Sequence, residues 1–496
     1  MRSAHRGVRG LLLGTLTLMA CNIWLVQDVS ADDIDAVVVK AVPRPNIVFI
    51  LTDAHRWDGL SCAGNEFLQT PNLDRIAGRG TRFRNAFVTQ AKHSSTRAAC
   101  LTGRYGNARS IATDHAVSLR NPGRSFAHAL RAAGYLTGVA GKWHLNNSPE
   151  DCGFEFASTF WSDGAWYDRD FRIDGRQQKT RGFVDDVVAE ESARFVHSAL
   201  SQKKPFVLWL CTQVPHCDQN GIWPADDEHK NVFDLAQMPV PANWNDELNG
   251  KPDILKTSRN RILASEFGYE KTDAIARHLR DYYAAVEQMD IAIGRFLDEL
   301  ESLQLQNNTW FILMGDNGWL LGEHGMAGNG LPYEESIRIP MAISAPSIAP
   351  RVCDELVLNI DIAATIYELA GLEPPSAVHG KSLVPLVGGI TNSKWRDRVL
   401  IEVPAPEAAD GPVWTLRDHR WKYIETVMKD SLDQNGTRDR FVELYDLQND
   451  PGEMHNLASK EAAVLEILAE QLRRQVRSLN ETDTRTKPTH EPSTKE

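Results

Sequence analysis

Residues 46–51 read Asn-Ile-Val-Phe-Ile-Leu, apolar without alternation. That pattern predicts a strand covered on both faces, as in a parallel sheet between helical layers. It runs into Thr52-Asp53, which puts a carboxylate at the C-terminal edge of the strand, where open α/β sheets keep their sites. The pattern recurs at 83–88, 135–140, 205–211 and 309–314. Helical periodicity falls between these runs, at 71–77, 125–133, 183–200, 281–300 and 361–370. Thr70 or Asn72 is placed to cap the first of these helices, and Gly134 and Gly371 to stop two others. Strand and helix alternate, so the fold class is α/β.

Two stretches break the rhythm. Residues 220–273 are rich in Pro, Asn and Asp with weak periodicity, the texture of a long insertion over the functional face. Beyond Pro374-Pro375 come short predicted strands at 399–403, 413–416, 421–425 and 443–447, then a helix at 462–479. The expected organisation is a main domain over 45–375, a small α+β subdomain with an antiparallel sheet over 376–480, and a polar disordered tail over 481–496.

Composition narrows the setting. The 496 residues are 42% hydrophobic and 24% charged, ordinary for a globular protein. A formal net charge of −12 argues against nucleic acid or an anionic membrane as the main partner. Arg2, Arg6 and Arg9 precede an apolar run from Leu11 to Val26, and Val29-Ser30-Ala31 offers a small-residue cleavage site. That is the layout of a signal peptide over 1–31 and implies export, periplasmic or extracellular. Cleavage before Cys21, with a lipid anchor, is the rival reading. The run falls short of the roughly 20 apolar residues a membrane span needs. Cys62, Cys100, Cys152, Cys211, Cys217 and Cys353 show no paired zinc-ligand spacing. Cys152 with Cys211 or Cys217 is a possible bridge, and buried free thiols are the alternative.

The chemistry centres on Lys92-His93-Ser94-Ser95-Thr96-Arg97-Ala98-Ala99-Cys100-Leu101-Thr102-Gly103-Arg104. Around it, in order, stand Asp53 after the opening strand, Gly141-Lys142-Trp143-His144, Pro215-His216, Gly315-Asp316-Asn317-Gly318 and Leu321-Gly322-Glu323-His324-Gly325. Glu443-Leu444-Tyr445-Asp446-Leu447 and Asp450-Pro451-Gly452-Glu453 close the series. In this order and spacing the chain resembles the sulfatase family of the alkaline-phosphatase superfamily, from about 46 to 458. The resemblance implies a large mixed sheet sandwiched by helices and a hydrolase of sulfate esters, with sulfated carbohydrate as the partner. It also implies one divalent cation, usually Ca²⁺, on Asp53, Asp316 and Asn317, a hard ion on oxygen ligands. Arg97 and Lys142 would steady the sulfate, and His144 and His216 would handle protons.

Three departures meet in the same pocket. Where the family carries the Cys or Ser that becomes formylglycine, this chain has His93, with Ser95 at the proline of that motif, so no formylglycine is expected. Asp53 is followed by Ala54 rather than a second Asp, and Asn329 stands in the segment where the family usually has a Lys. Ser94 is one position out of register, and Cys100 lies further along the helix. His93 itself is open to two uses, as an imidazole nucleophile or as an additional metal ligand. Three readings follow: a sulfate-ester hydrolase with a non-standard nucleophile position, a catalytically silent sulfated-glycan-binding protein, and a phosphoester hydrolase on the same scaffold.

Overall fold

The computed structural model describes residues 44–106, 117–390, 394–403, 413–432 and 438–485. The predicted signal peptide, Cys21 and most of the predicted tail lie outside them. Strands β1 (Asn46–Thr52), β2 (Gly80–Phe87), β3 (Leu136–Lys142), β4 (Phe156–Phe160), β5 (Asp170–Ile173), β6 (Arg176–Lys179), β7 (Phe206–Cys211) and β8 (Thr309–Gly315) come first. The two-residue strands β9 (Leu320–Leu321) and β10 (Ala327–Gly328) pair with each other, and β11 (Met341–Ser344) and β12 (Arg351–Leu358) follow. Ten of these strands form one mixed sheet in the order β12-β2-β11-β8-β1-β7-β3-β4-β5-β6. β1 lies inside the sheet, parallel to both β7 and β8.

The unbroken apolar run of β1 is explained by what covers it. Ile47, Phe49 and Leu51 join the core cluster on one face of the sheet, and Val48 and Ile50 the cluster on the other; all five are fully buried. A strand with side chains alternating into two dry layers has no polar position to offer. The helices Val184–Ser201 and Thr272–Ser302 cover the second face, the latter through Tyr282, Val286, Met289 and Ile293. Gly141 is required where β3 meets β7: its φ is +100°, and a Cβ there would stand 1.8 Å from the Cys211 carbonyl oxygen.

β13 (Arg398–Val403), β14 (Val413–Asp418), β15 (Trp421–Leu432) and β16 (Arg438–Asp446) form the predicted antiparallel sheet. The helix Ala462–Arg485 packs on it through Leu468 and Leu472, against Leu400, Leu416, Tyr423 and Leu444.

Several boundaries differ from the sequence reading. The long helix begins at Thr272, not Asp281, because Ala274, Ile275, Ala276 and Leu279 continue its buried stripe between charged neighbours. The insertion over 220–273 contains the helix Arg259–Glu266, and the predicted tail is helical as far as Arg485. β6, Arg-Gln-Gln-Lys, is exposed at every position and so carries no apolar signal. All six cysteines are free, so the bridge from Cys152 to Cys211 or Cys217 does not form. No helix among the described residues is long and apolar enough to cross a membrane.

Candidate active site

The register of β1 on β8 builds the centre of the site. Thr52 pairs with Gly315, so the next residues, Asp53 and Asp316, leave adjacent parallel strands side by side. Ala54 N donates to Asp316 Oδ1 at 2.9 Å and fixes the pair. On the other side of β1 lies β7, and beyond it β3, whose last residue is Lys142. Its side chain reaches back across β7 to place Nζ 2.5 Å from Asp53 Oδ2.

The helix His93–Thr102 supplies the third wall. His93 and Arg97 stand one turn apart and share a face, and both meet Asp316. His93 Nδ1 lies 3.2 and 3.3 Å from the two Asp316 oxygens and 2.8 Å from Asp53 Oδ1. Arg97 Nη2 approaches Asp316 Oδ2 at 3.2 Å, and its Nη1 donates to the Lys142 carbonyl at 2.6 Å. The other ring nitrogen of His93, Nε2, is 2.9 Å from the Asn329 side-chain amide. Both nitrogens are therefore engaged.

His216 and His144 flank the cluster. The His216 ring meets His93 edge-on at 4.9 Å and Trp319 at 5.0 Å. Its Nδ1 donates to the Cys217 carbonyl at 2.7 Å, which leaves Nε2 as an acceptor. His144 holds a left-handed backbone, φ 53°, a strained conformation for a residue with a side chain. Its N–H donates to the Trp161 carbonyl at 2.7 Å, and its Nε2 is 3.4 Å from Ser162 Oγ.

Asp53, Arg97, Lys142, Asp316 and Asn317 are fully buried. Ions removed from water in this way are tolerable only when paired and hydrogen-bonded. Burial alone would raise the Asp53 carboxyl, but Lys142 and then His93 overcome it and hold it well below the usual carboxylate range. Burial works against protonating His93 too, yet Asp53 and Asp316 more than reverse it and bring it to about 9. His144 has no such support: burial, then Lys142 and His93, push it down to about 3. His216 is likewise lowered, by burial and Lys142. Two oxygens in the cluster, Asp53 Oδ1 and Asn317 Oδ1, are buried with no hydrogen-bond partner. Asp53, His93 and Asp316 thus form a buried group able to coordinate a metal ion.

The sequence-predicted residues Asp53, His93, Arg97, Lys142, His144, His216, Asp316 and Asn317 all converge on this one place. One acidic neighbour was not foreseen. Asp163, on the loop after β4, lies 3.4 Å from Lys142 Nζ and accepts from Ser162 Oγ at 2.7 Å. Against its burial, Lys142 and His216 hold Asp163 below the usual range. Only its neighbourhood in space, not its sequence context, marks it. A cavity of about 500 Å³ opens beside His216, lined by Asp163, Asp218, Phe267, His278 and Trp319. Part of that lining comes from the insertion over 220–273.

Known proteins resemble this chain in sequence and in fold. The sulfatase family model matches residues 45–372, and a model described as N-sulphoglucosamine sulphohydrolase, C-terminal, matches 322–482. An N-acetylglucosamine-6-O-sulfatase of Bacteroides thetaiotaomicron is 29% identical, with 86% of each chain covered. A structure of a protein in complex with its substrate D-glucosamine-2-N,6-O-disulfate superposes with a TM-score of 0.78 at 27% identity, covering 89% of this chain and 99% of that one. A phosphonate monoester hydrolase of Silicibacter pomeroyi shares the fold, with a TM-score of 0.68 at 23% identity over 87% of this chain and 95% of its own. With the match over 45–372, this chain belongs to the sulfatase family.

Proposed function

We propose that this chain hydrolyses sulfate esters of carbohydrate, without a formylglycine nucleophile. The observation that carries the reading is the convergence of buried Arg97 and Lys142 with His144 and His216 beside an open cavity. Two fixed cations suit a sulfuryl group, whose charge sits on its equatorial oxygens. The similarity to an N-acetylglucosamine-6-O-sulfatase and to a protein that binds a disulfated glucosamine supports an amino-sugar sulfate as substrate.

The site's own residues divide the work. Lys142 and Arg97 bind and orient the sulfate. His216, with Nδ1 donated to Cys217 and Nε2 free, accepts a proton from the attacking water and returns it to the leaving alcohol. The alcohol itself sits in the cavity lined by Trp319 and Phe267. Asp53, Asp316 and Asn317 fit one divalent cation, because two of their oxygens are buried without partners; the family resemblance pairs an all-oxygen set of this kind with Ca²⁺. When bound, such an ion withdraws charge from the ester oxygens. Arg97 and Lys142 are each paired to one of these carboxylates, which fixes both cations beside the site.

The leader over 1–31 supports export, and the segment over 45–375 carries every residue of the site, with 376–480 as an accessory subdomain. The test is parallel turnover of a 6-O-sulfated glucosamine, an aryl sulfate and an aryl phosphate. Preference for the sulfates is expected; faster release of phosphate would overturn the reading.

A further inference from the structure

We propose that His93 Nδ1 is itself a ligand of the cation, turning an oxygen site into a mixed nitrogen–oxygen site for a first-row transition ion such as Zn²⁺, Mn²⁺ or Co²⁺. This rests on the reading above that the carboxylate pair holds a divalent cation. The ring nitrogen stands where such a ligand would. It is 2.8 Å from Asp53 Oδ1 and 3.2 and 3.3 Å from the Asp316 oxygens. Metal–ligand bonds of about 2.0–2.2 Å separate neighbouring donors by roughly 3 Å. The contact to Asp53 Oδ1 has the length of a hydrogen bond without its direction, so that buried oxygen remains without a hydrogen-bond partner. Three donor groups facing one another across such distances are spaced to hold a shared cation.

The substitutions around the site act in one direction. Ala54 brings no second carboxylate, and the backbone N–H there, present whatever the side chain, holds Asp316 Oδ1 at 2.9 Å. One oxygen ligand is lost and one imidazole gained, which disfavours Ca²⁺ and favours ions that accept nitrogen. Asn329 completes the arrangement. Its amide lies 2.9 Å from His93 Nε2, and its two ends are interchangeable by a flip. With the oxygen turned to the ring it accepts the Nε2 proton and leaves the Nδ1 lone pair for the metal, the outer contact that metal-bound histidines keep.

The test uses the full chain stripped with chelator, then titrated calorimetrically with Zn²⁺, Co²⁺ and Ca²⁺ beside His93→Gln and Asn329→Ala. One Zn²⁺ or Co²⁺ per chain is expected, bound more tightly than Ca²⁺. A Co²⁺ visible spectrum should change in His93→Gln. Zn²⁺ affinity should fall by more than about 100-fold in His93→Gln and by about 10–100-fold in Asn329→Ala. Equal Zn²⁺ affinity in wild type and His93→Gln would overturn the inference. Stoichiometric Ca²⁺ alone, unaffected by His93→Gln, would overturn it and leave the cation reading standing. Binding of no divalent ion would remove both.

Discussion

Lys142 Nζ lies 2.5 Å from Asp53 Oδ2, although β7 separates the strands that carry them, and both side chains are closed to solvent. The pair ties the ends of β3 and β1 together at the floor of the site. Each is the other's nearest opposite charge, with His93 Nδ1 2.8 Å from Asp53 Oδ1 and Asp163 Oδ1 3.4 Å from Lys142 Nζ as secondary support. Removing one partner leaves a buried ion uncompensated, which costs more than the pair itself contributes.

Lys142→Met should therefore destabilise the protein by about 3–5 kcal/mol. Adding Asp53→Asn should restore most of that loss. Urea unfolding of the two variants beside wild type measures it, and a double mutant no more stable than the single would refute the pairing argument.

His216→Ala should lower kcat by about 10²–10⁴, the range for loss of a positioned proton carrier, with a smaller change in KM. Because burial and Lys142 lower the His216 pKa, the acid limb of the wild-type rate profile should fall below the ordinary histidine range. A pH–rate profile unchanged in shape by the substitution would exclude His216 from proton transfer.

Asp185 lies beneath the loop that carries His216, accepting from Gln213 N at 2.9 Å and Val214 N at 3.3 Å. Burial, with Asp186 and Asp53 adding to it, outweighs these donors and raises Asp185 to about 8. A raised carboxyl contributes stability that is complete below the unfolded value near 4 and is lost as pH rises through about 8. Asp185→Asn should flatten the stability–pH curve across that window, as read from denaturant midpoints.

Glu334 anchors the C-terminal sheet. Its carboxylate meets Lys422 Nζ at 3.2 Å and Arg417 Nη2 at 3.3 Å, and Lys422 also pairs with Glu453 at 2.7 Å. Against burial, Arg417 and Lys422 hold Glu334 down to about 2. That stability is present above the ordinary carboxylate value and is lost as pH falls through about 2. Glu334→Gln should cost about 3 kcal/mol or more and speed limited proteolysis within 394–485; unchanged cleavage would contradict the anchor.

Much of this was legible in the chain itself. Residues 47–51 predict a doubly covered strand because nothing in them is polar enough to face water, and β1 is one. The strand ends mark Asp53, Lys142 and Asp316 because a parallel sheet delivers consecutive strand ends to one edge. What the sequence could not convey was pairing at a distance. Asp163 meets Lys142 only because β4 runs parallel beside β3 and the loop after it folds inward. The use of His93 was left open for the same reason: a histidine's role depends on what each nitrogen faces, and here those partners come from β1, β8 and the segment around Asn329. Edge strands such as β6 were invisible because water covers both their faces.

The most direct measurement is sulfate release from 6-O-sulfated N-acetylglucosamine by the full chain, quantified by ion chromatography beside His216→Ala. Steady release by wild type, falling by at least about 10² in the variant, is the predicted result. Tight binding of the sugar by wild type with no sulfate released would contradict hydrolysis and make the chain a sulfatase-shaped glycan-binding protein.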